Sequence, residues 1–504
     1  MSNLAARLGR LTPQERLLLE QRLAARARPV QTIPRRKPGE EAPLSFSQRR
    51  LWYLEQLNPG TATYNAPYAF RGRGNLDVAA LRQAAHKVVE RHTVLRTTIS
   101  TSAAGEPFSR LATEWDPLLL LPAAHQGEAG EKEAMRLIES AAQQPFDIAH
   151  DVLVRIVVAT WDTDEFLILI AAHHIAWDGV SKGIFFRELG LIYDALVAGR
   201  EPGLPEPLIE YADFSLWQQR TFTGPARERE VAFWKDSLAG APAYLDLPLD
   251  KPRPAVQRFQ GAKIPFELPA ALLARSQAFS RAERTTLYAT LLAAFKVFLL
   301  AFASQGDLCV ATPFAGRDEP ETQEIIGFFT NTVVLRTKID AALDFRTILA
   351  RVRDGLLSAQ EHQQMPMDQL VEILQAPRDL TRMPLAQVNF RLQGGKAATL
   401  QLTGTELMPL PLIDTLISKF DMALEVASVA GEAGYLEYNT DLFAEARMKQ
   451  IPAAYQALLE DIVDEPGLPV GQLAAFQIIG ELSPRRRRIG LNAATSRTRT
   501  PSHA

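Results

Sequence analysis

One cysteine, Cys309, in 504 residues leaves no intramolecular disulfide and no CxxC metal or redox pair. A cytosolic setting agrees with that usage. Neither sign of charge dominates, with 55 basic and 58 acidic residues giving a formal net charge of −3. No balance for gripping a polyanion exists, so nucleic acid is not an expected partner. No apolar segment near the N-terminus reads as a signal peptide. The run Leu287–Ala303 is shorter than the roughly 18 residues a membrane span requires, and Lys296 interrupts it. A buried core helix is the expectation there, and no membrane partner is expected. No repeat of about 20 to 50 residues is evident.

What is present is ordinary globular material, 47% hydrophobic and 22% charged. The length suggests two to four units at roughly 150 residues each. Residues 1–28 read as a helical arm, with Thr12 and Glu15 as a capping box around Pro13 and Leu17, Leu18, Leu19 and Leu23 as its apolar side. It is either a frayed arm or a docking segment. Residues 29–42 form a Pro-rich charged linker. Strand and helix patterns then alternate over 43–240, and a proline cluster at 241–258 marks the clearest internal boundary. A second α/β pattern fills 259–470, including a helix over 443–462. The basic tail 471–504, with four consecutive arginines at 485–488, shows no packing pattern and is expected to be disordered.

The stretch 166–181, FLILIAAHHIAWDGVS, is the most informative. Seven apolar residues, 166–172, read as a fully buried strand. They lead into His173 and His174, with Asp178 and Gly179 following before a helix that starts near Ser181. Successive strand side chains point to opposite faces, so only one histidine can face a given channel. The plain alternative is a structural histidine at a strand end beside an ordinary Asp-Gly turn.

His173-His174-x-x-x-Asp178-Gly179 is similar to the HHxxxDG motif of condensation domains of nonribosomal peptide synthetases, an acyltransferase superfamily. Seven other segments resemble that family's motifs in order. LSFSQRRLWYL at 44–54 is similar to SxAQxRLWxL, and RHTVLRT at 91–97 to RHxxLRT. PFD at 145–147 and YADFSLW at 211–217 follow. IGFFTNT at 326–332 resembles IGxFVNT, with Thr330 in place of Val. HQQMPMD at 362–368 resembles HQDxPFE, with Met367 and Asp368 departing, and the segment 378–390 resembles RDxSRxPLxQVxF. The resemblance spans about 43–465.

The resemblance implies two chloramphenicol-acetyltransferase-like α/β lobes arranged as a V with a tunnel between them. It implies condensation of a carrier-bound acyl or peptidyl thioester with the amine of a carrier-bound aminoacyl group. No cofactor is bound covalently; phosphopantetheine comes on donor and acceptor carrier proteins, and 1–28 could help dock them. His174 would be base or amine-positioning residue, with His173, Asp178 and Gly179 completing the catalytic motif and no metal involved. A base of this kind is worth about 10²–10⁴ in rate. Asp178 is expected to be structural, paired with Arg96, or failing that Arg91, because an unpaired buried carboxylate costs several kcal/mol. The Gly179 N–H is a candidate oxyanion donor. Trp177, Ser181 and Asn331 are expected to line the tunnel, with plain packing as the alternative, and His362 is expected to be structural. The chain has no Gly-Gly-Ser to carry a pantetheine, since Lys396 follows Gly394 and Gly395. Rival readings are an ester-forming O-acyltransferase, an epimerising relative, and a silent carrier-docking module.

Overall fold

The computed structural model describes residues 32–483, apart from 38, 378, 395–398 and 411–415. The arm at 1–28 and the arginine run lie outside the described residues. Thirteen strands follow in chain order: β1 (Asn65–Gly74), β2 (Thr97–Thr101), β3 (Pro107–Leu111), β4 (Leu118–Pro122), β5 (Val154–Thr160), β6 (Glu165–His173), β7 (Gly261–Phe266), β8 (Asp307–Phe314), β9 (Asn331–Lys338), β10 (Val388–Gln393), β11 (Thr405–Pro409), β12 (Met422–Ala427) and β13 (Gly434–Asn439). They form a five-stranded sheet in the order β11-β1-β6-β5-β4, a six-stranded sheet in the order β7-β13-β12-β10-β8-β9, and a small β2-β3 hairpin. The α/β class expected from the sequence is what the chain adopts.

β6 is apolar from Phe166 to Ala172 because both its faces are covered. Phe166, Ile168, Ile170 and Ala172 pack into the first core, with the helices Val78–Arg91 and Gly179–Val197. Leu167, Leu169 and Ala171 pack the other way, under Ala134, Ile138 and Ala141 of the helix Gly127–Gln143. The next residue on that second face is His173. The alternation alone therefore sends His173 inward.

The second core is built on the helix Leu287–Ala303, whose side chains are almost all buried. Lys296 is buried with them, and its ammonium donates to the Leu335 carbonyl and the Thr337 hydroxyl, both at 2.7 Å. No single helix among the described residues is long and apolar enough to cross a membrane; one bent pair, Ala270–Ala282 with Leu287–Ala303, passes by length and composition only.

Several expectations are corrected. The chain enters the second core at Phe222 and Trp234, well before the proline cluster. β11, from the second half of the sequence, pairs antiparallel with β1 as the edge of the first sheet. Leu400 and Leu402 accompany it into the first core, as do Ile325, Ile326 and Phe329. Two separate segments of the second half are thus stitched into the first. The single helix expected over 443–462 is two, Glu445–Met448 and Ile451–Asp464, because Pro452 lacks an N–H and starts a helix rather than continuing one. The tail is not featureless from 471: Ala474–Glu481 is a helix whose Phe476 and Ile479 are buried in the second core.

Candidate active site

His173 ends β6 and is sealed. Its Nδ1 accepts the Ile175 N–H at 3.2 Å, which puts the ring proton on Nε2, facing a Glu55 carboxylate oxygen at 3.3 Å. The rings of Tyr64 and Phe146 stand edge-on to it, at 6.2 and 6.1 Å. Burial pushes its pKa below the usual histidine value, and Glu55 opposes that shift. With both nitrogens engaged inside the core, His173 has no face left for a reactant. The expectation that it belongs to the catalytic group is corrected to a structural role.

His174 opens a one-turn helix, His174–Ala176, which swings it out of the strand. It is half-buried, whereas residues 175–178 are buried. Its backbone N–H donates to the Tyr64 carbonyl at 2.9 Å, and its Nδ1 lies 3.1 Å from the Trp177 carbonyl. A carbonyl can only accept, so Nδ1 carries the proton and Nε2 presents a lone pair. Nε2 has no hydrogen-bond partner among the described residues. Phe328 stands beside the ring at 6.1 Å. Burial first, then the charge of Lys419, push the pKa down to about 3, against the Trp177 carbonyl. The imidazole is therefore neutral and open at one nitrogen.

Asp178 faces away from this ring. It caps the helix Gly179–Val197, accepting from the Ser181 N–H and hydroxyl, both at 2.8 Å. Its cationic partner is Arg317, with Nη2 at 2.9 and 3.2 Å from the two carboxylate oxygens, and the Phe329 N–H donates to it at 3.1 Å. The pairing expected with Arg96 is thus corrected: Arg96 donates to the Ala112 carbonyl, and Arg91 pairs with Glu188. Arg317 lay in none of the motifs and gave no local signal. It reaches Asp178 through a turn at Gly316, whose φ of +64° and 2.3 Å approach of a notional Cβ to the Phe329 carbonyl admit only glycine.

The distant motifs converge on this loop. Gln48 caps the helix Phe46–Leu57 with Ser45 and sends its amide to the Ile175 carbonyl at 3.0 Å. The Tyr211 hydroxyl meets Ser45 at 2.8 Å and donates to the Phe328 carbonyl at 2.6 Å. Ser181 is not tunnel lining; its buried hydroxyl bridges Asp178, Arg317 and the backbone of Gly327. Trp177 is fully buried against Phe185 and Tyr68. Asn331 spends its amide on the carbonyls of Gln363 and Met365, at 2.8 and 2.7 Å. These three expectations resolve as packing and bracing. His362 stacks on Phe233 at 3.9 Å and meets Glu230 at 3.2 Å, as a structural residue would. Gly179 is exposed, and a Cβ there would meet nothing within 4 Å. The protein itself does not demand a glycine at that position.

A charged face on the six-stranded sheet acts on the histidines, and sequence reasoning missed it. Arg391 on β10 pairs with Glu425 on β12 at 3.2 Å and Glu437 on β13 at 3.6 Å, and the Tyr435 hydroxyl donates to Glu425 at 2.9 Å. Alternate residues Phe390, Leu392, Leu424 and Leu436 serve the core, so the charged set shares one face. Lys419, just before β12, sits 4.3 Å above the ring of Tyr64. Alternation along β10 could have flagged Arg391; nothing local flagged Lys419. Among the described residues no group of three or more His, Cys, Asp or Glu could hold a metal ion.

The Condensation domain profile matches residues 39–477. The chain belongs to the condensation-domain family. It is 38% identical over 453 residues to one of the linear gramicidin synthase proteins of Brevibacillus parabrevis, covering 89% of this chain and 6% of that protein. It is 34% identical over 492 residues to phosphinothricin tripeptide synthetase PhsC of Streptomyces viridochromogenes, covering 95% of this chain and 44% of the relative. The domain thus spans less than half the length of these relatives. Among solved structures, the X-domain in complex with OxyB from teicoplanin biosynthesis is similar at a TM-score of 0.78 and 25% identity, over 89% of this chain and 99% of that one. The first condensation domain of the calcium-dependent antibiotic synthetase shares the fold at a TM-score of 0.73 and 18% identity, over 87% of this chain and all of that one.

Proposed function

We propose that this condensation domain joins an acyl or peptidyl group, held as a thioester on a donor carrier protein, to the amine of an aminoacyl group on an acceptor carrier, making an amide. The two phosphopantetheine arms enter a passage between the halves from opposite sides and meet at His174, in the cytoplasm. One observation carries the reading: in a loop where every other ionisable side chain is committed, Nε2 of His174 is unpaired among the described residues and open.

The thioester is already activated, and holding both reactants at one point supplies a large share of the rate. What remains is to aim the amine lone pair and to shed a proton. Neutral Nε2 accepts a hydrogen bond from the amine N–H and turns the lone pair toward the carbonyl carbon. A ring whose pKa lies near 3 is a weak base for a free ammonium. The N–H of the amine grows more acidic once C–N bonding has begun, so positioning comes first and proton acceptance follows. Gly179 leaves open space beside the start of its helix, where a pantetheine arm can run close to backbone.

The test loads N-acetyl-aminoacyl donors and aminoacyl acceptors on two carrier proteins and follows the condensed product by intact mass. Product from the wild type and a fall of about 10²-fold or more with His174→Ala support the reading. Equal product from both removes His174 from the mechanism. An ester from an added alcohol with no amide favours the O-acyltransferase, and α-proton exchange without condensation favours epimerisation. A docking role without chemistry draws on the similarity to an X-domain seen in complex with OxyB, and it predicts carrier binding with no product.

A further inference from the structure

Lys419 is held on both sides by buried bonds. Ser418 donates its N–H to the Phe259 carbonyl at 2.8 Å, and the Gln257 amide donates to the Lys419 carbonyl at 3.1 Å. Asp421, two residues on, is locked to Arg253. With its backbone fixed, the side chain crosses to the first half and lies 4.3 Å over Tyr64, whose carbonyl holds the His174 N–H. No carboxylate of the described residues reaches ion-pair distance of Lys419. Glu437, which acts on it, is shared between Arg391 at 3.6 Å and the Ser418 hydroxyl at 3.3 Å. A half-buried ammonium kept without a counter-ion is a cost, and such costs collect at functional sites.

We infer that Lys419 is a second functional group of the reaction site, placed to hold the negative charge that develops on the donor's carbonyl oxygen. The inference rests on the proposed condensation reaction. In that reaction the amine lone pair forms the new C–N bond while the C=O pair moves onto oxygen. The oxyanion then re-forms the carbonyl as the C–S bond breaks, and the amine proton passes by way of Nε2 of His174 to the departing thiolate. The oxygen gains a full negative charge near the midpoint, and a positioned ammonium there acts without reorganising. Burial does most to keep His174 neutral, and Lys419 is the strongest charge adding to that effect. Burial brings Lys419 itself down to about 7, with Glu437 opposing and Arg391, Lys263 and Arg50 adding to the shift.

The test compares wild type, Lys419→Met and Lys419→Arg in single-turnover condensation with the carrier-bound panel above, alongside an NMR titration of His174. Lys419→Met is expected to slow the chemical step about 10²-fold, the effect of losing one oxyanion donor. It is expected to leave the unfolding midpoint no lower than in the wild type and to make His174 start to charge at a higher pH. Lys419→Arg, which keeps the charge, is expected to recover much of the rate and the low His174 titration. Wild-type turnover judges the condensation reading, and the variants judge Lys419. Unchanged turnover in Lys419→Met overturns the inference, as does a His174 titration that does not move. A loss confined to acidic substrates overturns it too, because it would make Lys419 a side-chain selector.

Discussion

Two arginine centres, Arg317 buried and Arg391 half-buried, act around the histidine loop, and they differ in how directly their charges are answered. Behind the loop, Asp178 and Arg317 face each other directly, with Ser181, the Phe329 N–H and the carbonyls of Thr322 and Ile325 taking up nearby lone pairs and protons. In front of it, Arg391 is matched by Glu425 and Glu437, but Lys419 beside them has no carboxylate of its own among the described residues. A centre whose cation meets its own carboxylate is a clamp, and its value is mechanical. One with an unmatched cation leaves a field, which a reactant can use. The Asp of the motif belongs to the first kind.

Breaking the clamp gives the largest expected effect. Arg317→Ala leaves the Asp178 carboxylate buried without its partner, and the expected loss is about 3–5 kcal/mol, read as a lowered urea midpoint. Arg96→Ala, which loses a bond to one carbonyl, is expected to cost about 1 kcal/mol. Equal losses in the two variants would restore the pairing first expected from the motif. His173→Ala comes next, at about 2 kcal/mol for removing a buried bonded ring, with turnover per folded molecule largely kept. Gly179→Ala is expected to leave stability within about 0.5 kcal/mol of wild type while slowing turnover, since the space it fills is open in the protein. The smallest effect is on pH. His174 binds its proton near pH 3 in the folded state and at 6.5 when free, so the unfolded chain holds more protons between those values. Stability therefore falls on acidification through that window, and His174→Gln is expected to lessen the fall.

Much of this was legible in the sequence, and the failures have physical causes. β6 and the helix Leu287–Ala303 announce themselves because burial on all sides writes a continuous apolar run. The choice between the two histidines is already contained in the period of two along β6. β11 was missed because TELMP is a short, mostly exposed edge strand with no continuous apolar run, held by its pairing with β1. Arg317 escaped because its partner lies 139 residues away and only the Gly316 turn brings them together. Lys419 escaped because it lies outside every motif and just ahead of β12, which begins only at Met422. The residues before it form the clamp that aims the lysine.

The account turns on a neutral imidazole with its lone pair exposed, and the titration of His174 by nitrogen-resolved NMR in the wild-type protein measures that directly. The expected spectrum is the Nδ1–H tautomer, unchanged from pH 8 to below pH 5. A ring that charges near 6.5, or that carries its neutral proton on Nε2, would contradict it.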